Sequence, residues 1–270
     1  MIDLHTHILP GLDDGPATIE ESLDLARAFV EAGTTTVVAT PHVREDYRVD
    51  AARIGRAVAE LHAALAVEEV ALEVVAGGEV AVTKVLDLDE AELRAVALGE
   101  GPYVLVESPY TYTGELLERA LFDVQLKRLR PLLAHPERSP CFLGDLPRLA
   151  ALVERGVLCS ITAGSMAGRF GGTVRAFTLR LFEAGLVHAV ASDAHGLGGR
   201  PPGLLVGFER AEPDLPGVLD QAAWFTREAP EAILAGRDLP PAPEPPRRRH
   251  GGLRRLSGPV RSGLGRRRGR

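Results

Sequence analysis

Short β-rich runs alternate with amphipathic helical runs from residue 1 to about residue 236, and this alternation constrains the fold more than any other feature. Strands that alternate with helices are typical of a parallel sheet, because each helix carries the chain back to the start of the next strand. The sequence contains seven or so such units, with no GxGxxG run after the first strand and no P-loop. We therefore expect an α/β protein built as a closed barrel rather than an open nucleotide-binding sheet.

Hydrophobic periodicity and turn residues place the individual elements. Thr18 and Glu21 have the spacing of a capping box, which predicts a helix that runs to Glu31 and is ended by Gly33. The predicted strands cover 2–8, 34–41, 70–79, 103–108, 130–138, 157–162 and 186–195. The other predicted helices cover about 51–66, 88–98, 114–129, 145–155, 173–184 and 218–235.

Histidines and acids recur where the predicted strands end. In the first strand, the alternation of side chains places His5 and His7 on one face, where two imidazoles one residue apart suit a shared metal better than two positive charges. The carboxyl ends of parallel barrel strands meet on one face, so these groups are expected to share a pocket. The candidate residues are His5, His7, Asp14, His42, Glu79, Glu107, His135, Asp193 and His195.

Each of these residues alone is more often structural than a ligand, but the set is hard to explain without a cation. Several buried acids without a counter-charge would cost a large desolvation energy, which divalent ions offset. All the candidate ligand atoms are nitrogen or oxygen, which favours Mn²⁺, Fe²⁺ or Zn²⁺ over a metal that prefers sulfur. The sequence therefore predicts a centre with several metal ions.

The residues of these motifs and their order along the chain resemble those of a known family. HTHILPGLDDG, ATPH, GGE, the Glu107 strand, AHPER and ASDAHGLGGRPP are similar to the polymerase-and-histidinol-phosphatase (PHP) superfamily. Within it they most resemble the bacterial tyrosine-protein phosphatases of the CpsB/YwqE type, which are encoded with capsule and exopolysaccharide genes. The resemblance covers about residues 1–236 and implies a distorted (β/α)₇ barrel, the PHP fold, with three metal ions, usually manganese.

The resemblance also implies how the ligands divide. One ion would be held by His5, His7, Glu79 and Asp193, a second by Glu79, Glu107 and His135, and a third by Asp14, His42 and His195. Arg138 and Arg200 are placed to bind a phosphate group through two parallel hydrogen bonds each. Whether Ser165 or Arg169, in the less similar segment 161–172, lines the pocket stays open.

The implied activity is metal-dependent hydrolysis of phosphotyrosine, with a bacterial tyrosine kinase as the expected substrate protein. Cysteine phosphatase chemistry is not expected, because six residues after Cys141 and Cys159 stand Pro147 and Ser165 instead of arginine. Two alternatives stay open: a histidinol-phosphate or other small phosphomonoester phosphatase on the same scaffold, and a metal-bound regulatory protein without turnover. Nuclease activity is not favoured, because a body with a charge of −15 repels a phosphate backbone.

Charge is distributed unevenly along the chain. The net charge of −6 combines that acidic body with a segment from Pro240 that carries ten arginines, one acid and a charge of +9. This segment is rich in Pro, Gly and Arg, so we expect residues 1–239 to form the domain and 240–270 a disordered tail. Such a tail can contact anionic surfaces, but no specific nucleic acid is expected. Two cysteines, no long apolar run and no signal core predict a cytoplasmic protein.

Overall fold

The computed structural model describes residues 1–248, and the remaining tail residues lie outside the described part. Its strands are all parallel and form two sheets with the orders β1-β2-β4 and β3-β5-β6-β7-β8-β9. The strands are β1 Ile2–Thr6, β2 Thr36–Ala39, β3 His42–Val43, β4 Glu73–Ala76, β5 Glu79–Val80, β6 Tyr103–Glu107, β7 Arg130–Ala134, β8 Leu158–Thr162 and β9 Ala189–Ala191.

Seven strand positions follow from these nine strands, because two of the positions hold an interrupted strand. Thr40 and Pro41 separate β2 from β3, and Gly77 and Gly78 separate β4 from β5. Each break passes the strand from the three-stranded sheet to the six-stranded one. The predicted distorted (β/α)₇ barrel is therefore confirmed, and the two breaks are part of its distortion.

The barrel closes between its first and last strands through residues next to the predicted site. The Asp193 backbone N–H donates to the His5 carbonyl (2.9 Å), and the His7 N–H donates to the Ala194 carbonyl (2.8 Å). Thr6 forms an isolated parallel bridge with Ala194. The seam of the barrel thus runs through the predicted ligand segments.

Helices pack around the strands, and several differ from the predicted ones. The predicted helix at 88–98 is a shorter one, Glu90–Ala95, and the predicted helix at 218–235 is regular only from residue 224, where it begins as a π-helical turn, Trp224–Glu228. Three helices were not predicted: Val82–Asp87, Ala163–Met166 and Leu205–Ala211. The bounds are α1 Ile19–Glu31, α2 Ala51–Val67, α3 Val82–Asp87, α4 Glu90–Ala95, α5 Gly114–Leu126, α6 Leu146–Glu154, α7 Ala163–Met166, α8 Gly172–Glu183, α9 Leu205–Ala211 and α10 Ala229–Leu234.

The start of α1 shows how the sequence sets a helix boundary. The Thr18 side chain accepts a hydrogen bond from the Glu21 backbone N–H, as a capping residue does. The Glu21 carboxylate accepts from the Ala17 N–H at 2.7 Å, so only half of the predicted capping box forms. Gly33 follows the helix with φ +80°, a left-handed conformation that glycine adopts without strain.

Two apolar layers follow from the alternation of side chains along the strands. Residues such as Val104 and Leu133 point outward and join the large core between strands and helices. Leu105 and Leu132 alternate with them and fill the barrel interior together with Leu4 and Val38. This interior layer closes the barrel beneath the strand ends where the predicted site lies.

Part of the predicted tail contacts the barrel. Pro246 is buried, the Gln221 side chain donates to the Glu244 carbonyl (2.9 Å), and the Arg248 N–H donates to the Glu183 carboxylate (3.2 Å). The predicted boundary at residue 239 stays a prediction, as does disorder in 249–270, which lies outside the described residues. Within residues 1–248, no helix has the length and apolar character needed to cross a bilayer.

Candidate metal centre and phosphate site

The first strand delivers two histidines to the carboxyl end of the barrel. The pairing of β1 with β2 is irregular between Asp3 and Thr6, and β1 ends before His7. The two rings nevertheless converge, with 3.2 Å between the Nε2 atoms of His5 and His7. Both side chains are buried, as expected for residues that share a partner.

All nine candidate ligands lie in one cluster, which we call the His/acid cluster, and all of them except the exposed Asp14 are buried or partly buried. Four groups within it offer ligand atoms that lie within 4.8 Å of one another. These groups are His7, Asp14, His42 and His195; His5, His7 and Asp193; His5, Glu79 and His135; and His42, Glu79 and Glu107. The structure therefore brings the candidates together, although His135 and Glu107 do not fall in one group as the resemblance implied.

Glu79 lies at the middle of the cluster. Its Oε1 atom is 2.9 Å from His135 Nε2, and its Oε2 atom is 3.2 Å from His5 Nε2 and 3.4 Å from His7 Nε2. Oε2 is also 3.1 Å from His42 Nδ1. One carboxylate therefore faces four imidazoles, with its two oxygens directed at different parts of the cluster.

Asp193 connects the cluster to the two arginines. Its Oδ1 atom faces the histidines, 3.4 Å from His5 Nε2 and 3.5 Å from His7 Nε2. Its Oδ2 atom accepts from Arg138 Nη2 (2.6 Å) and from Arg200 Nη1 (3.2 Å). Asp193 has a φ of +54°, a conformation that non-glycine residues seldom adopt and that is often found at functional sites.

Arg138 is more deeply buried than Arg200. Its side chain is 6% exposed, against 29% for Arg200. The guanidinium carbon of Arg138 lies 4.7 Å from the centre of the Phe170 ring and 5.9 Å from that of Tyr110, so the group is flanked by two aromatic faces. Arg200 also pairs with Asp14, at 3.3 Å.

The two residues left open by the sequence have different positions. Ser165 is buried, and its hydroxyl donates to the Glu137 carboxylate at 2.7 Å, so its polar contact is with a residue outside the candidate ligand set. Arg169 lies beside Arg200 in the lining of a neighbouring pocket. Of the two, only Arg169 lines a pocket beside the cluster.

No role for Asp13 was predicted from the sequence, although Asp13 contacts two candidate ligands. Its Oδ2 atom accepts from His7 Nδ1 (2.6 Å) and from the His42 backbone N–H (2.9 Å), while Oδ1 accepts from the Gly15 N–H (3.0 Å). A carboxylate on the second ring nitrogen of a histidine fixes the ring and its tautomer, which is usual for metal-binding histidines. The Asp13-Asp14 pair in the sequence was the available signal.

Asp3 was also missed. Both of its carboxylate oxygens accept from the Ser192 N–H at 3.1 Å, and Oδ1 accepts from the His5 N–H at 3.2 Å. Asp3 is fully buried, and burial raises its pKa to about 6. It joins the first strand to the segment that carries Asp193.

The pKa values of the cluster reflect strong mutual interactions between its charges. Burial lowers the pKa of His7, but Asp13 and Glu79 more than compensate and raise it to about 10. Burial raises the pKa of Asp193, yet the nearby charges of His5 and Arg138 bring it below its ordinary value. Burial and the Arg138 charge lower the pKa of His135 to about 4. Nearby positive charge therefore stabilises the ionised form of Asp193, and Asp13 and Glu79 stabilise the protonated form of His7.

The chemistry of the donor set fits divalent cations. Within residues 1–248, His42 Nδ1, Glu79 Oε2 and His195 Nε2 are buried atoms without a hydrogen-bond partner. The first two lie 3.1 Å apart but are not aligned for a hydrogen bond. Leaving such atoms without a partner is costly, and imidazole nitrogen and carboxylate oxygen are both ligands of Mn²⁺, Fe²⁺ and Zn²⁺.

Barrel and cluster together define a parallel β/α-barrel protein with a candidate metal centre at the carboxyl ends of its strands. The family model for capsular polysaccharide synthesis, CpsB/CapC, matches residues 1–213. The chain belongs to the CpsB/CapC family.

Individual relatives agree with the family model. The tyrosine-protein phosphatase YwqE of Bacillus subtilis is 39% identical over 198 residues, which cover 73% of this chain and 78% of the relative. A putative tyrosine-protein phosphatase, CapC of Staphylococcus aureus, is 31% identical over 202 residues, covering 74% and 79%.

Solved structures support the same relationship. A crystal structure from a study of YwqE from Bacillus subtilis and CpsB from Streptococcus pneumoniae, described as metal-dependent tyrosine phosphatases, matches with a TM-score of 0.81 and 34% identity over 92% of this chain and 100% of the other. A D-hydantoinase matches with a TM-score of 0.51 and 14% identity, which shows a shared fold alone. The predicted family resemblance is confirmed.

Proposed function

We propose that this chain is a metal-dependent phosphatase that hydrolyses phosphotyrosine in a protein of capsular or exopolysaccharide synthesis. The observation that carries the proposal is the position of Asp193 between the His/acid cluster on one side and Arg138 and Arg200 on the other. The tyrosine phosphatases among its relatives support the reaction class. The substrate protein we favour is a tyrosine kinase of the same pathway, in the cytoplasm.

The candidate ligands would hold three Mn²⁺ ions, divided among them as the family resemblance implies, with Fe²⁺ or Zn²⁺ as alternatives. When bound, such ions lower the pKa of a coordinated water and neutralise charge on the phosphoryl oxygens. Glu79 would contribute ligand atoms from both of its oxygens, since these face different histidines. Asp13 would hold His7 in the tautomer whose Nε2 atom is free to bind a metal ion.

The arginines would bind the phosphoryl group. Both guanidinium groups reach the same oxygen of Asp193, so they converge on one position at the edge of the cluster. A phosphate beside that oxygen would receive charge-assisted hydrogen bonds from other N–H groups of Arg138 and Arg200. The Asp193 carboxylate would keep both groups oriented, so that little side-chain freedom is lost when substrate binds.

A cysteine nucleophile does not fit this site. Cys159 is fully buried on β8, and burial raises the pKa of its thiol further from neutrality. Cys141 is buried as well, and its thiol donates to the Thr111 carbonyl. A reactive cysteine needs an accessible thiolate, and neither of these buried residues provides one.

The test is hydrolysis of a phosphotyrosine peptide compared with histidinol phosphate, after chelation and after Mn²⁺ is restored. We expect the peptide to be preferred, chelation to abolish its turnover, Mn²⁺ to restore it, and thiol alkylation to have little effect. Preference for histidinol phosphate would assign the chain to the small-molecule alternative. A metal-loaded chain without turnover of either substrate would support the regulatory alternative.

A further inference from the structure

A pocket of about 290 Å³ lies directly beside the two arginines. We call it the Phe170 pocket. Its lining includes Phe170, Pro201, Pro202 and Val206 of α9, together with Arg200 of the candidate phosphate site. Its lining is mostly apolar, which is the usual character of a site for a small organic group.

A hydrogen bond joins the segment that carries Phe170 to the loop that carries Pro201 and Pro202. Arg169, next to Phe170, donates a hydrogen bond to the Gly199 carbonyl, which lies in the loop that carries Arg200 and the prolines. Behind the pocket, α9 packs closely on α7, because a Cβ atom on Gly207 would lie 2.9 Å from Ala163. Both contacts hold elements of the pocket lining together.

The pocket adjoins the position where a phosphate would bind. Arg138 lies over the Phe170 ring at 4.7 Å, and Arg200 lines the pocket itself. Both side chains donate to Asp193, so the cationic groups and the apolar walls meet at one edge. A ligand with an anionic head attached directly to an apolar ring would satisfy both parts.

We propose that the Phe170 pocket binds the phenyl ring of phosphotyrosine and selects aryl over alkyl phosphate esters. This inference rests on the proposed function and deepens it. In phosphotyrosine the ring is bonded to the ester oxygen, whereas in phosphoserine that oxygen is followed by one methylene and the peptide backbone. The volume suffices, because an apolar cavity of about 150 Å³ in another protein holds benzene. Phe170 and the prolines offer the flat apolar faces that stack on an aromatic ring.

A second cleft, of about 300 Å³, lies on the other side of Arg138. Its lining includes Tyr110, but also Arg44, Glu45 and Glu107, and its carboxylates and threonine hydroxyls suit hydrated peptide backbone better than a phenyl ring. We therefore assign the ring to the Phe170 pocket. Binding of the ring in the Tyr110 cleft is the rival outcome of the test.

The test fills the pocket from its rim. Val206 is 42% exposed and has no assigned part in binding metal or phosphate, so Val206→Phe places a ring into the pocket without altering the arginines. Leu205→Phe is the matched control, because Leu205 is its neighbour on α9, is 39% exposed and does not line the pocket. Phe170→Ala is a second variant that removes a wall.

The readout is binding of two stable phosphonates to the Mn²⁺-loaded protein by calorimetry, together with turnover of a phosphotyrosine peptide. Burial of a phenyl ring is worth roughly a ten- to hundredfold gain in affinity, so wild type should bind phenylphosphonate that much more tightly than methylphosphonate. Val206→Phe should remove this preference and lower kcat/KM for the peptide by a similar factor, while methylphosphonate binding and the Leu205→Phe control stay at wild-type values.

Two results would overturn the assignment. One is a phenylphosphonate preference that survives Val206→Phe and Phe170→Ala but disappears in Tyr110→Ala, which would place the ring in the rival cleft. The other is wild-type protein with no preference between the phosphonates. Failure of the proposed function looks different: the phosphonate preference and its loss in Val206→Phe would be present, but no phosphotyrosine peptide would be hydrolysed.

Discussion

Asp13→Asn tests whether a residue outside the candidate ligand set controls metal affinity. Three donors converge on the two oxygens of Asp13: His7 Nδ1 at 2.6 Å, the His42 N–H at 2.9 Å and the Gly15 N–H at 3.0 Å. An amide replaces one of those oxygens with a donor, so at least one of the three N–H groups loses its acceptor. It also removes the negative charge that holds the His7 ring in place.

The expected effect follows from the role of such partners. Loss of a carboxylate behind a metal-binding histidine lowers metal affinity by about ten- to a hundredfold, or about 1.4–2.8 kcal/mol. The assay is competition for Mn²⁺ and Zn²⁺ between demetallated protein and a fluorescent chelator. Thermal unfolding of the metal-free variants checks that the fold is intact.

Asp24→Asn is the matched control, because it makes the same change of charge at an exposed position of α1, 61% exposed and paired with Arg27. Its metal affinity should equal that of the wild type. The reasoning is refuted if Asp13→Asn binds metal as tightly as the wild type, or if both variants lose affinity equally.

Three further changes probe other parts of the molecule. Glu79→Gln should lose bound metal and activity together, because its two oxygens face different histidines, and unchanged metal content per chain would remove Glu79 from the centre. Arg138→Ala should lower kcat/KM by roughly ten- to a hundredfold with metal content unchanged, and wild-type kinetics would show that the arginine does not touch substrate. Burial lowers the pKa of His188 from 6.5 to about 4, and its Nδ1 accepts from the Cys159 N–H at 3.1 Å. Since the folded-state pKa of His188 lies below the unfolded one, the protein should lose about 2 kcal/mol of stability through this group between pH 8 and pH 5. The His188→Asn variant keeps a hydrogen-bond acceptor but does not titrate, so it should lose less stability over the same pH range. Urea unfolding at the two pH values measures the difference.

The sequence predicted the barrel and the cluster because both depend on strong local signals. Apolar runs with turn residues locate the strands, and in a parallel barrel the position of a residue at a strand end already determines the face on which it lies. His42 and Glu79 show this directly, since they are paired in register between β3 and β5. Their closeness follows from topology alone.

Features that depend on side-chain geometry could not be predicted in the same way. The role of Asp13 depends on the direction of the His7 ring, and the Phe170 pocket depends on a loop hydrogen bond from Arg169 to Gly199. The short helices α7 and α9 carry too few residues for a periodic pattern to identify them. The split of two strands arises at Thr40-Pro41 and Gly77-Gly78; proline and glycine weaken a strand, but they do not show that the chain pairs again in a second sheet.

The seam of the barrel has a consequence for how the protein is inactivated by heat. His5, His7 and Asp193 belong to both the hydrogen bonds that close the first strand onto the last and the cluster proposed to bind metal. Metal ions there would act as a reversible cross-link between segments that lie at opposite ends of the folded sequence, and the strands could separate only after the ions leave. The rate of irreversible heat inactivation should then follow the rate of metal release, so the ion would set the lifetime of the fold, its kinetic stability, as well as its chemistry.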